Sequence, residues 1–200
     1  MATEPRKRPA QPRSQATFDM IVEGAACILE ERGFEGYNTN AIAVRAKVSV
    51  GSIYQYFPDK DAITAAIIRR EAERLLDDAK AVRRTGSAHE GLIHLIDAAI
   101  HHRLRRPALA RLIDVEEARL PLDADNRGVE ASLLADLEMV LARPGLKPLP
   151  DRKQVARDLL AIARGMIDAA GQREERDKAA LGRRVRAAVF GYIDRIARSA

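Results

Sequence analysis

The fold is decided by residues 39–60, which read TNAIAVRAKVSVGSIYQYFPDK. The stretch predicts two short helices joined by a tight turn at residues 47–48. Thr39 and Ser49 are predicted N-caps, since each hydroxyl can accept a hydrogen bond from a free N–H of the first helical turn. Apolar residues three and four apart give each helix one apolar face, and Pro58 ends the second helix. Helices this short are unstable alone in water, so both must pack against a longer element.

Small and polar residues are left on the outward side of this helix pair. Uncharged hydrogen-bonding side chains at the start of a second short helix suit the major groove of DNA. The amides of Asn40 and Gln55 suit adenine, and Val50 suits the methyl group of thymine. The alternative is that these residues merely face solvent. The predicted base-contacting residues are Asn40, Val50, Gly51, Ser52 and Gln55.

Phosphate contacts are predicted around the same two helices. Helix N-termini favour anions, so the first N–H groups of both helices, with Thr39 and Ser49, are candidates. Tyr54 and Tyr56 are expected to stack against or hydrogen-bond to the DNA backbone rather than to read a base.

Residues 41–63, AIAVRAKVSVGSIYQYFPDKDAI, follow the segment ERGFEGYNT. Together they resemble the DNA-binding domain of the TetR family of bacterial transcriptional regulators, from about residue 16 to residue 68. The resemblance implies an all-α fold of about nine helices: an N-terminal three-helix domain with a helix-turn-helix, then a helical ligand-binding and dimerisation domain. It also implies that Lys60 contacts phosphate. Lys47 is a departure, because the family usually has Gly in this turn.

Composition excludes several classes of protein. The chain has 200 residues, a net charge of +5 and one cysteine, Cys27, so no intrachain disulfide is possible. The single cysteine fits a reducing compartment, and we expect the bacterial cytoplasm. No secretory signal, membrane-spanning segment, phosphate-binding loop, catalytic nucleophile with its base, or metal-ligand set is recognisable. We therefore expect no enzyme activity, no cofactor, no metal and no membrane contact.

Three segments are predicted along the chain. Residues 1–13 form a basic arm, disordered in isolation, whose Arg8 and Arg13 contact DNA; a solvated tail is the alternative. Residues 14–60 form the helix-turn-helix domain, which begins with a helix over residues 14–32. Gly33 is its predicted C′ residue, and Phe34 is expected to fill the small core. Residues 61–200 form the second domain, and a long helix over residues 59–84 links the two.

The last two predicted helices, about residues 151–171 and 177–198, carry wide apolar stripes. In the family these helices pair with their copies in a second subunit, so the stripes are expected to form a homodimer interface. The alternative is that both stripes pack onto the core of their own chain. The predicted interface residues are Leu159, Ala163, Met166, Leu181, Val185, Val189 and Tyr192.

The second domain is expected to bind an effector. No aromatic residue lies between Pro58 and Val189, which favours an aliphatic or small polar ligand, or no ligand, over one held by aromatic stacking. His94 and His101 share a helix face; metal binding, ligand contact and structural or solvated roles are the alternatives. The candidate ligand-binding residues are His94, His101, Glu117 and Met139.

These observations favour a sequence-specific DNA-binding transcriptional regulator. We expect a ligand-responsive repressor that binds a pseudo-palindromic operator in double-stranded DNA as a dimer. The alternative from another class is a helical protein-interaction module that does not bind DNA.

Overall fold

The protein is all-α in the computed structural model, which describes residues 3–6, 11–84 and 86–198. Over this part of the chain there are nine α-helices, and the predicted fold class is confirmed. The helices are α1 (Pro12–Gly36), α2 (Thr39–Ala46), α3 (Val50–Tyr56), α4 (Lys60–Lys80), α5 (Ala88–Arg105), α6 (Pro107–Arg119), α7 (Asp123–Leu141), α8 (Arg152–Gln172) and α9 (Lys178–Ile196). A 3-10 helix, Ala81–Arg84, follows α4.

The chain divides into two compact units. The first comprises Met1–Ala72 and Ala108–Asp123, and the second comprises Glu73–Pro107 and Ala124–Ala200. The division falls within α4, and α6 belongs almost wholly to the first unit. The sequence placed this boundary at residue 60 and assigned all later residues to the second domain. The packing of α6 makes the difference, since Leu109 is buried in the core of the first unit.

The core of the first unit is built on α1, which gives α2 and α3 the longer partner they require. Ile21, Leu29, Ile42 and Ile53 are fully buried in it, in the same cluster as Phe57. The ring of Phe18 packs against Phe57 with centroids 4.9 Å apart. One apolar cluster therefore fixes α2 and α3 on the long helix.

A glycine allows α1 and α2 to approach closely. A Cβ added at Gly24 would lie 3.0 Å from the Cβ of Ala46 and 3.1 Å from its main-chain nitrogen. The α1–α2 contact therefore requires the smallest residue at position 24.

Both ends of α1 differ from the prediction in part. The helix begins at Pro12, two residues before the predicted start, because proline suits the first turn of a helix. Gly33 has φ 61° and ψ −164°, so it interrupts the helix where a C′ glycine was predicted, and one further turn follows. The prediction for Phe34 was wrong: its side chain is 42% exposed, and Tyr37, 5% exposed, lies in the core instead.

The second unit has its own apolar core, to which α5, α7, α8 and α9 contribute. A capping box starts α5: the Ser87 hydroxyl accepts from the Glu90 N–H at 3.2 Å, and the Glu90 carboxylate accepts from the Ser87 N–H at 3.2 Å. Asp151 and Asp177 cap α8 and α9. α7 begins at Asp123 and ends at Leu141, and Leu137 and Val140 contribute to this core.

Candidate nucleic-acid interface

The turn between α2 and α3 depends on one residue with a left-handed backbone. Lys47 has φ 55° and ψ 40°, and its N–H donates to the carbonyl of Val44 at 3.3 Å. The N–H of Val48 donates to the carbonyl of Ala43 at 3.0 Å, which closes the turn. The predicted turn at residues 47–48 is confirmed, and Lys47 adopts the conformation that glycine would adopt without steric cost.

The N-cap of α2 is Asn38, not Thr39 as the sequence suggested. The Asn38 side chain accepts a hydrogen bond from the N–H of Ala41 at 2.9 Å. Thr39 is the first helical residue, so its half-buried hydroxyl does not cap the helix. Asn38 and Thr39 can each cap a helix, so the sequence alone left the cap of α2 ambiguous. In the structure the cap is one residue earlier than predicted.

The N-terminus of α3 agrees with the prediction. The Ser49 hydroxyl accepts from the N–H of Ser52 at 3.0 Å, and the two serine hydroxyls lie 2.8 Å apart. Asn40, Gly51 and Gln55 are exposed, while Val50 and Ser52 are half-buried. The helix-turn-helix thus presents a small polar surface beside the capped N-terminus of α3, with two amides exposed on it.

The two tyrosines of α3 differ in their surroundings. Tyr54 is 43% exposed and available for contact with DNA. Tyr56 is only 8% exposed, and its ring packs edge-to-face against Phe18 with centroids 6.1 Å apart. Tyr56 is a core residue, so its predicted role as an exposed backbone contact is corrected.

Lys60 connects the start of α4 to the segment before α2. Its exposed side chain reaches the carbonyl of Tyr37, to which Nζ donates at 3.3 Å. Tyr37 immediately precedes the cap residue Asn38. The ammonium group therefore lies near the start of α2, where the free N–H groups also favour an anion.

An ion-pair cluster follows Lys60 in the same unit. Arg119 of α6 donates to Asp61 in the first turn of α4, with Nη1–Oδ2 at 3.1 Å, and to Glu116, with Nη2–Oε2 at 2.6 Å. These hydrogen bonds lower the pKa of Asp61 and raise that of Arg119. Glu116 is 7% exposed, so this carboxylate depends on its arginine partner. Asp61 and Arg119 are 58 residues apart in the chain, so no local sequence pattern indicates that they pair.

The predicted basic arm is described only in part. Arg8 lies outside the described residues. Arg13 lies on the first turn of α1 and is exposed. Residues 3–6, expected to be disordered, make three hydrogen bonds: Arg69 donates to the Thr3 carbonyl at 2.8 Å and to Glu4 at 2.7 Å, and the Arg6 N–H donates to the Tyr56 carbonyl at 2.7 Å.

Three of the candidate ligand residues, His94, His101 and Met139, belong to the second unit. A ring nitrogen of His94 lies 2.9 Å from the Asp78 carbonyl, and His101 is exposed. Met139 accepts from Arg143, with Nη2–Sδ at 3.9 Å. Glu117 belongs to the first unit. The effector site stays a prediction; among the residues that the structure describes, no His, Cys, Asp and Glu cluster suits a metal ion.

The predicted dimer interface requires a correction. Leu159, Leu181, Val185 and Val189 are 0–2% exposed and lie in the core of their own unit. A second chain cannot contact side chains that are already enclosed. Ala163, Met166 and Tyr192 are half-buried and remain candidates.

The outward faces of the last two helices carry small residues. Ala161 and Gly165 of α8, and Ala187 and Gly191 of α9, are exposed at a spacing of four. A Cβ added at either glycine would meet no atom within 4 Å. Tyr192 of α9 donates a hydrogen bond to Asp158 of α8, which ties these two helices together.

No helix in the described part of the chain is both long and apolar enough to cross a membrane.

Comparison with known proteins gives consistent matches. Residues 21–67 match the model for bacterial regulatory proteins of the tetR family. The chain is 28% identical over 144 residues to the HTH-type transcriptional repressor KstR of Mycolicibacterium smegmatis. This alignment covers 68% of each chain. It is 27% identical over 142 residues to KstR of Rhodococcus jostii, covering 68% of this chain and 64% of that one.

Two solved structures share the fold over most of their length. A transcriptional regulator from Rhodococcus sp. Rha1 superposes with a TM-score of 0.74 at 24% identity, covering 88% of this chain and 95% of that one. The regulator FadR of Bacillus subtilis, in complex with stearoyl-CoA, gives a TM-score of 0.69 at 18% identity, covering 86% and 97%.

Proposed function

Because this chain belongs to the TetR family of bacterial transcriptional regulators, we propose that it represses its target genes by binding a pseudo-palindromic operator as a homodimer. The observation that carries the proposal is the exposed polar surface of α2 and α3 beside two capped helix N-termini. In this proposal α3 is the recognition helix, and it enters the major groove. The protein acts in the cytoplasm and is not an enzyme.

The residues divide into two roles. Gln55 and Asn40 read base edges through their amides, and Val50 contacts thymine methyl groups. Lys60, Ser49 and the first N–H groups of α2 and α3 bind phosphate. Base contacts set the sequence preference, whereas phosphate contacts set the register and the salt dependence.

The test uses duplexes from the DNA upstream of the gene that contain an inverted repeat. Gln55→Ala should weaken binding at particular base pairs only. Lys60→Ala should weaken binding to every duplex and reduce the salt slope by about 0.9 per protomer. Gln172→Ala and Lys147→Ala, both exposed in the second unit, are matched controls that should bind like the parent. Absence of salt-dependent binding in the parent would favour a protein-interaction module.

The proposed dimer uses the outward faces of α8 and α9. Small residues there permit a close approach of helices, and in a two-fold dimer the same patch of both chains meets. Gly191→Arg should produce a folded monomer, because an added side chain meets nothing within its own chain. Gly128→Arg on α7 is the matched control, since its added Cβ is equally unopposed. A dimer in both variants, seen by light scattering, would reject this face.

The proposed effector is a long acyl chain, free or carried on coenzyme A. Aliphatic side chains would line its site, because no aromatic residue lies between Pro58 and Val189. FadR, whose complex contains stearoyl-CoA, supports this choice through its shared fold. Adding acyl-CoA esters of increasing length should release the DNA with affinity rising by roughly threefold to fourfold per CH₂. Release that does not depend on chain length would reject an acyl effector.

A further inference from the structure

Residues 3–6, here called the N-terminal strap, are attached to the helix-turn-helix unit at two places. Nη1 of Arg69 on α4 donates to the Thr3 carbonyl at 2.8 Å, and Nη2 donates to Oε1 of Glu4 at 2.7 Å. Two residues later, the N–H of Arg6 donates to the carbonyl of Tyr56 at 2.7 Å. Chain termini are usually mobile unless tied down, and three hydrogen bonds over four residues tie this segment down.

Each attachment satisfies a polar group of the folded unit. Tyr56 is the last residue of α3, and the carbonyl groups at a helix C-terminus lack partners within the helix. The strap N–H supplies a partner to one of them. The side chain of Arg69 is only 21% exposed, so its guanidinium gains from a carboxylate and a carbonyl close by.

The strap places one cation beside the recognition helix. The main chain of Arg6 is hydrogen-bonded to the end of α3, while its side chain is exposed. That side chain pairs with no acid among the residues that the structure describes. Glu4, the only acid of the strap, is paired with Arg69. The strap therefore adds a positive charge to the region of α3, and its negative charge is already neutralised.

We propose that the N-terminal strap is a DNA-positioning element, in which the Glu4–Arg69 pair holds Arg6 at the C-terminal end of α3 to bind operator phosphate. This inference rests on the DNA-binding function proposed above. A cation whose main chain is held before binding loses less conformational entropy when it contacts phosphate than a cation on a free tail. Arg6 is the contacting residue, while Glu4 and Arg69 are positioning residues.

The inference predicts that removing the negative charge of Glu4 lowers the affinity for DNA. Removing an acid near DNA should strengthen binding by simple electrostatics, because it raises the net positive charge. Loss of Glu4 should instead weaken binding, because Arg6 is released. Glu35→Ala removes an exposed acid from the same unit and is the charge-matched control.

The test measures binding of the full chain, with any tag at the C-terminus, to the upstream duplex and to a random duplex over a range of salt. Arg6→Ala should lower affinity about eightfold at 0.1 M salt and reduce the salt slope by about 0.9 per protomer. Glu4→Ala should lower affinity about threefold, the effect expected of an exposed ion pair. The charge exchange Glu4→Arg with Arg69→Glu should restore affinity to within about twofold. Glu4→Ala added to Arg6→Ala should have little further effect.

A second measurement is independent of DNA. The Arg6 amide should be protected from hydrogen exchange in the parent and in Glu35→Ala, and unprotected in Glu4→Ala. An unprotected amide in the parent would overturn the inference. The inference would also be overturned if the Glu4→Ala variant bound DNA as tightly as the Glu35→Ala variant while the parent bound normally. A parent that binds no duplex would overturn the proposed function, and the role of Arg6 with it.

Discussion

The hydroxyl groups of Thr64 and Tyr37 share a hydrogen bond of 3.1 Å that joins α4 to the end of α1. Both side chains are buried, and Thr64 Oγ1 also bonds to the Lys60 carbonyl at 3.0 Å. Thr64→Val keeps the shape but leaves the phenol without its partner. We expect a loss of about 1–2 kcal/mol in the free energy of unfolding, measured with urea. Thr17→Val, at a half-buried position of α1, is the control. Equal losses in both variants would contradict a specific role for the Tyr37 contact.

The same tyrosine should make stability depend on alkaline pH. Burial raises the pKa of Tyr37 well above its usual value near 10. The unfolded chain therefore releases this proton first, so stability is full below about pH 10 and falls as the pH rises further. Tyr37→Phe should reduce this fall, measured as the urea midpoint between about pH 9 and 11. A pH profile identical to that of the parent would contradict the prediction.

Lys47→Gly should stabilise the protein. Lys47 has φ 55°, a left-handed conformation that costs about 1–2 kcal/mol for a residue with a Cβ and almost nothing for glycine. We expect a gain of roughly 0.5–1 kcal/mol in urea unfolding, after the larger entropy of glycine in the unfolded chain is subtracted. Lys47→Ala removes the charge but keeps the strain, so it should give no gain.

Asn38 and Thr39 should separate stability from DNA binding. Asn38→Ala removes the cap of α2 and should cost about 1 kcal/mol of stability. Thr39→Ala should leave the thermal midpoint nearly unchanged but weaken binding to all duplexes, because its hydroxyl is a proposed phosphate contact. The reverse pattern would restore Thr39 as the cap.

Arg119→Met should destabilise the first unit by about 2 kcal/mol, since Glu116 would be left buried without its partner.

The free energy of unfolding should also depend on pH in the acidic range. Hydrogen bonds from Arg119 lower the pKa of Asp61, so this pair stabilises the fold above about pH 4 and the effect is lost as pH falls. Arg119→Met should flatten the pH dependence in that range, whereas Arg127→Met, at an exposed position, should not.

Local signals predicted the start of α3 correctly. Ser49 is confirmed as a cap because a cap and its partner lie within three residues, so the sequence contains both. Asn38 was missed because its neighbour Thr39 is an equally suitable cap residue. Which of the two caps the helix depends on where the preceding chain turns, and that is set by tertiary packing.

Burial was harder to predict than helix formation. The sequence shows which face of α8 and α9 is apolar, but not whether that face meets its own chain or another. Val185 and Val189 are enclosed by their own unit, and the outward face carries alanine and glycine, which give no hydrophobic signal. Phe34 and Tyr37 show the same limit: both are aromatic and three residues apart, yet only Tyr37 is buried.

The contact between Gly24 and Ala46 also bears on how related sequences can diverge. A Cβ at position 24 would meet the main-chain nitrogen of Ala46 at 3.1 Å and its Cα at 3.2 Å, and a smaller side chain at position 46 would remove neither contact. Relatives that keep this helix pair should therefore retain glycine at position 24 whichever small residue stands at position 46. Such one-sided variation across a broad set of relatives would show that selection acts on the distance between the two helix backbones.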